Sequence, residues 1–166
     1  MKIVLASGNP GKLRELGELL GPLGIGVVPQ IAFGLTTPPE TGTTFCENAL
    51  LKARFAARQT GLPALADDSG IEVDALHGRP GVYSARYAGE GASDEDNLRK
   101  LLAALDGVPE SERGARYRCV VALVRGPDDP EPPAPRRARA MRPSQVPSAI
   151  SGSGSSGPRT SATTQR

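Results

Sequence analysis

Ser7-Gly8-Asn9-Pro10-Gly11-Lys12 follows directly on the apolar run Ile3-Val4-Leu5-Ala6. A buried strand, a glycine-bearing turn and a helix start carrying a lysine are the parts of a polyphosphate cradle. Glycine lets the backbone approach phosphate oxygens closely. The unpaired N–H groups of a helix start face outward toward an anion. Lys12 adds a full positive charge and Asn9 a neutral amide donor. The spacing is not that of the Walker loop, whose first glycine stands further from its Gly-Lys pair and which continues with Ser or Thr. Here only Asn9 and Pro10 separate the glycines, and Leu13 follows the lysine. The same residues also suit an ordinary strand-to-helix turn with a solvated lysine.

Asp67-Asp68-Ser69-Gly70 is the natural partner of such a cradle. Neighbouring residues of a regular strand face opposite sides, so both carboxylates reach one ion only if the strand breaks, and Gly70 offers a place for the break. A hard cation such as Mg²⁺ takes oxygen ligands and keeps waters beside substrate phosphates. One carboxylate then holds the metal or accepts a proton from an attacking water; the alternative is a turn stabilised by Asp side chains. Glu40, in Pro39-Glu40-Thr41-Gly42, either completes the metal set or is a solvated loop acid. Lys52 groups with Glu47, Asn48, Leu51 and Phe55 by helical spacing and either faces a triphosphate or lies on a solvated face. The run from Arg79 to Gly89, with Tyr83, Arg86 and Tyr87, suits a cleft wall, a subunit contact or plain packing.

Several elements must position these groups. Residues 2–7 read as a buried strand, and Leu13, Leu16, Leu19 and Leu20 recur at helical spacing until Gly21-Pro22. Ile25–Val28 is a short strand and residues 34–43 a loop. Thr44 and Glu47 form a capping box that opens a helix to about Gln59, which Gly61 and Pro63 end. Residues 62–66 are a strand leading into the acidic pair, and residues 71–74 a further one. Residues 77–91 form an ordered loop. Ser93-Asp94-Glu95-Asp96 opens a helix to Leu105 with a stripe of Leu98, Leu101, Leu102 and Leu105. Residues 117–124 are the strongest strand. This alternation predicts an α/β layer fold.

The 166 residues carry a formal net charge of +2, but the sign is uneven. Residues 130–166 hold six Arg against one Glu, so the basic balance belongs to the tail and does not point to specific nucleic-acid binding by a folded surface. Cys46 and Cys119 are far apart and His77 is the single histidine, which argues against a zinc site and for reduced, packed thiols in a cytoplasmic protein. No signal peptide or membrane-length apolar run is present. Two segments result: an α/β domain over residues 1–129 and a Pro/Arg/Ser-rich tail over 130–166. The tail holds seven Pro and seven Ser and no larger aliphatics beyond Met141, Val146 and Ile150. It is predicted to be disordered, having too little apolar surface to offset its chain entropy.

The blocks Ser7-Gly8-Asn9-Pro10-Gly11-Lys12…Glu15, Glu40-Thr41-Gly42-x-Thr44-Phe45-x-Glu47-Asn48-Ala49-x-x-Lys52-Ala53, Ala66-Asp67-Asp68-Ser69-Gly70 and Pro80 through Gly89 occur in that order. Together they closely resemble the Ham1-type inosine/xanthosine triphosphate pyrophosphatase family, over residues 1 to about 129. The resemblance implies Mg²⁺-dependent hydrolysis of non-standard purine nucleoside triphosphates (ITP, dITP, XTP) to the monophosphate and pyrophosphate. It further implies a homodimer and an elongated mixed α/β sheet with a central cleft. By position, Ser7 through Lys12 hold the triphosphate, Asp68 is the proton acceptor and touches the metal, Glu40 is a metal ligand, Ser69 contacts substrate, and Lys52 neutralises phosphate charge.

The resemblance stops in the last third. There the family carries a Phe-Gly-Tyr-Asp block, a later lysine and a Ser-His-Arg triplet that grip purine and phosphates, whereas residues 130–166 contain no Phe, Tyr, His or Lys. The tail reads as a reading-frame shift or misassembled gene end; translation of the gene in the other frames tests this, and finding neither motif there would refute it. Without that lobe the cleft has one wall, apolar sheet face is left uncovered, and little ITP turnover by this chain is expected. Two other readings are a truncated, inactive nucleotide-binding module and a Maf-type nucleotide pyrophosphatase, whose Ser-x-Ser-Pro-Arg-Arg loop the cradle does not match.

Overall fold

The computed structural model describes residues 1–130. The expected disordered tail lies, apart from Pro130, outside the described residues. The element order is β1 (Lys2–Leu5), α1 (Pro10–Leu20), β2 (Gly26–Pro29), α2 (Phe45–Thr60), β3 (Ala64–Val73), α3 (Asp94–Ala104) and β4 (Ala115–Val124). The four strands form one mixed sheet in the order β2-β1-β3-β4. β1 runs parallel to β2 and β3, while β4 is antiparallel to β3. The α/β reading is correct.

Each helix starts where its side chains say it should. Asn9 caps α1, its Oδ1 accepting from the N–H groups of Gly11 and Lys12, with Pro10 at the first helical position. Thr44 and Glu47 close a full capping box on α2, and Gly61 ends it in the left-handed region. α2 then lies against β1, β3 and β4. Its contact face is built of Ala49, Ala53, Ala56 and Ala57 against Val4, Ala64, Ala66, Ala122 and Val124. Small side chains on both sides let helix and sheet approach closely, so the longer residues among them, Asn48 and Lys52, are drawn into the interface too.

Two expectations need correction. β3 does not break at Gly70: its pairing with β4 runs unbroken from Ala64↔Val124 to Val73↔Ala115, so residues 64–73 are one strand. Gly70 serves close packing instead, since a Cβ there would stand 2.4 Å from the Gly81 carbonyl oxygen and 2.5 Å from Ser84 Oγ. The expected ordered loop over residues 77–91 contains a 3-10 helix, Gly81–Arg86, laid across that strand. The four-leucine stripe of α3 is half correct. Leu101 and Leu105 join Val73, at the end of β3, and Leu76 in a second core, while Leu98 and Leu102 are more than half exposed, because α3 packs mainly on the Gly81–Arg86 turn and meets only that end of the sheet. On β4, Tyr117, Val121 and Leu123 point away from α2 and are exposed, an uncovered apolar stretch of sheet.

Candidate active site

The unbroken course of β3 separates the two aspartates. Asp68 lies on the α2 side and is buried, and Asp67 lies on the opposite side. Asp67 pairs with Lys12 of α1. Asp68 meets two residues of α2: its Oδ1 is 3.1 Å from Lys52 Nζ, and its Oδ2 accepts from Asn48 Nδ2 at 3.1 Å. Lys52 also donates to Glu40 Oε1 at 2.7 Å. One ammonium therefore joins the two carboxylates expected to share a metal. Burial opposes the charge on both Lys52 and Glu40. The partners outweigh it: Lys52 is raised above its ordinary value by Glu40 and Asp68, and Glu40 is held below its own by Lys52 and then Arg86.

A further layer holds these groups in place. Arg86 Nη1 donates to Glu40 Oε2 at 3.1 Å, and the Tyr83 ring lies 5.3 Å from its guanidinium carbon. The loop carrying Arg86 is tied to α3 by Asn97, which accepts from Ala88 N–H at 2.7 Å and donates to the Ala85 carbonyl at 3.1 Å. Asn48 is fully buried and accepts from Gly42 N–H at 2.8 Å, so it links the Glu40 loop to Asp68. Gly42 permits this approach, because a Cβ there would stand 2.6 Å from Asn48 Oδ1.

Around this network lies a cavity of about 280 Å³ lined by Ser7, Gly8, Asn9, Lys12, Glu40, Lys52, Asp67, Asp68 and Ser69, with Thr37, Val82 and Ala85 completing the wall. Of Ser7 through Lys12, Glu40, Lys52, Asp68 and Ser69, only Pro10 and Gly11 are not in its wall, since they build the first turn of α1; Gly70, Tyr83, Arg86 and Tyr87 do not line it either. Ser7 Oγ accepts from Asn9 N–H at 3.2 Å, which tightens the loop. A larger groove of about 660 Å³ runs along α2 past Leu51, Phe55 and Arg58, but its one carboxylate, Glu47, is spent on the helix cap.

Three cations face three carboxylates in this site: Lys12, Lys52 and Arg86 against Asp67, Glu40 and Asp68. No three metal-binding side chains stand together among the described residues. Glu40 and Asp68 nonetheless offer hard oxygens to one point, where Lys52 Nζ lies, and this donor set fits Mg²⁺, which takes one or two carboxylates and completes its shell with water and phosphate. The residues not assigned a role from sequence are Asn48, Arg86, Asp67 and Thr37. Asn48 had a signal in its i, i+4 relation to Lys52, and Arg86 in the Arg79–Gly89 run; the pairing of Arg86 with Glu40, 46 residues away, had none.

The family model described as the Ham1 family matches residues 3–134. This chain belongs to the Ham1 family. A Vibrio parahaemolyticus protein named dITP/XTP pyrophosphatase is 62% identical over 131 residues, covering 79% of this chain and 66% of that protein. One of the same name from Yersinia pseudotuberculosis is also 62% identical over 131 residues, with the same coverage. This Ham1 chain thus spans slightly less than two thirds of the length of those relatives. Among solved structures, a HAM1 protein from Coxiella burnetii superposes with a TM-score of 0.75 at 52% identity, covering 80% of this chain and 67% of that one. The Staphylococcus aureus Ham1 protein gives 0.69 at 43% identity, covering 77% and 65%.

Proposed function

We propose that this chain carries the phosphate-gripping and hydrolytic part of a pyrophosphatase for non-standard purine nucleoside triphosphates such as dITP, ITP and XTP. Water attack at the α-phosphorus would break the α–β anhydride bond and release the monophosphate and pyrophosphate. The observation that carries the reading is the buried Glu40–Lys52–Asp68 arrangement beside the Ser7–Lys12 loop, in a chain whose relatives are named dITP/XTP pyrophosphatases.

Because every cation of the site already faces a carboxylate, the protein alone cannot neutralise a triphosphate. A bound Mg²⁺, held by Glu40 and Asp68, would supply that charge and acidify a water. The loop N–H groups and Lys12 hold the phosphate chain, and Lys12 exchanges its Asp67 contact for phosphate oxygens. Ser69 borders the substrate. Asp68 takes the proton from the attacking water, while Asn48 and Lys52 fix its orientation. Positioning and charge neutralisation supply most of the rate in phosphoryl chemistry, so no covalent intermediate is needed.

Turnover by this chain is expected to be low, since residues 130–166 supply none of the family's purine-gripping residues. Homodimer formation is proposed on the family resemblance and a cytoplasmic location on the cysteine usage; no described helix is long and apolar enough to cross a membrane. The alternative, nucleotide binding without turnover, is not favoured by relatives named dITP/XTP pyrophosphatases. Pyrophosphate release from dITP and dGTP with Mg²⁺, combined with ITP binding, separates the two. Asp68→Asn should cut release by about a hundredfold or more while ITP still binds. Equal release by the variant and the parent chain, or no ITP binding by the parent, refutes the proposal.

A further inference from the structure

We propose that Thr37 is an additional phosphate-binding residue of this site, its hydroxyl proton directed at a substrate oxygen by the buried amide of Gln30. The proposal rests on the functional reading above and adds to it a polar pair that the sequence did not single out.

Gln30 follows directly on the last paired position of β1 and β2, Leu5↔Pro29, so it sits beside the strand end from which the Ser7 loop departs. A 3-10 turn, Gln30–Phe33, reverses the chain, with Leu35 N–H donating to the Gln30 carbonyl at 3.2 Å. This brings Thr37 back over Gln30. The Gln30 side chain is 3% exposed, and its Nε2 donates to Thr37 Oγ1 at 2.7 Å. Its Oε1 is buried without any hydrogen-bond partner among the described residues.

A threonine hydroxyl has one proton and two lone pairs. One lone pair of Thr37 is taken by Gln30, and no described residue accepts its proton. Thr37 is exposed and lines the same cavity as Ser7, Lys12, Lys52 and Asp68, so water takes the proton until a better acceptor enters that cavity. Phosphate oxygens are acceptors only, and they complement a proton held in this way. A leucine or methionine at position 30 would fill the same space without an unmade bond. A buried amide kept with half its capacity idle is the pattern expected where orientation of a neighbour matters more than packing.

Calorimetric titration of the full chain with inorganic tripolyphosphate and with ITP, both with Mg²⁺, tests the assignment. Thr37→Val should weaken binding of both by about tenfold to a hundredfold, as expected for loss of one hydrogen bond to a charged group, and Thr37→Ser should restore it. Gln30→Leu should weaken binding in the parent chain yet add nothing in the Thr37→Val background, because a positioning role ends once the hydroxyl is gone. A merely structural Gln30 would weaken both backgrounds alike, which overturns its role. Should Gln30→Leu fail to fold, the Val and Ser comparison at the exposed Thr37 decides alone. Lys12→Ala is the control. Undiminished or tighter binding by Thr37→Val while Lys12→Ala loses binding overturns the Thr37 assignment alone; undiminished binding by Lys12→Ala overturns the reading of the site itself.

Discussion

Replacing Lys52 by Met keeps most of the aliphatic stem and removes the ammonium between Glu40 and Asp68. The side chains of Lys52 and Asp68 are 8% and 9% exposed, so solvent takes over little of the lost contact. Removing one member of a buried ion pair costs about 3–5 kcal/mol. Glu40 keeps Arg86, and Asp68 keeps Asn48, which places the expected loss near the lower end, about 3 kcal/mol at neutral pH. The pH dependence sharpens the test. Glu40 is lowered in the folded chain, so its contribution is present above its ordinary value of 4.5 and fades as pH falls through its lower folded value. Lys52 is raised, so its contribution is complete below 10.5 and fades as pH climbs through its higher folded value. In Lys52→Met, Glu40 loses the ammonium that helps hold it low and protonates more readily. The gap between parent and variant should therefore narrow on acidification below 4.5. Urea unfolding followed by circular dichroism across this range measures both effects. A loss under about 1 kcal/mol, the value of an ordinary surface pair, or a gap that stays constant on acidification, would refute the buried-bridge argument.

Arg86→Met should lower the apparent Mg²⁺ affinity about tenfold by releasing the outer oxygen of Glu40, read from a Mg²⁺ titration of pyrophosphate release. Gly70→Ala should destabilise the fold by about 2–3 kcal/mol, because its Cβ meets a carbonyl oxygen of the Gly81–Arg86 turn; an unchanged urea midpoint would show that the turn yields freely. Thr44→Ala removes one half of the capping box on α2 and should cost about 1 kcal/mol in the same assay.

What could be read from the chain alone was local. Thr44, Glu47 and Gly61 announce both ends of α2, because a cap acts on N–H or C=O groups a few residues away. The proposed phosphate cradle and the proposed role of Asp68 were suggested for a similar reason: each is a short run whose residue types suit that chemistry. What only the tertiary structure decided was pairing across distance. The separation of Asp67 from Asp68 depended on β3 staying extended through Gly70, which the partner strand enforces by its unbroken register. The burial of Lys52 depended on alanines that let α2 sit close to the sheet, and the exposure of Leu98 and Leu102 on how little of α3 meets its neighbours. Arg86 reaches Glu40, and Lys12 reaches Asp67, only after strands distant in sequence lie side by side. Side-chain identity supplies the charges, but the packed sheet alone determines which of them face one another.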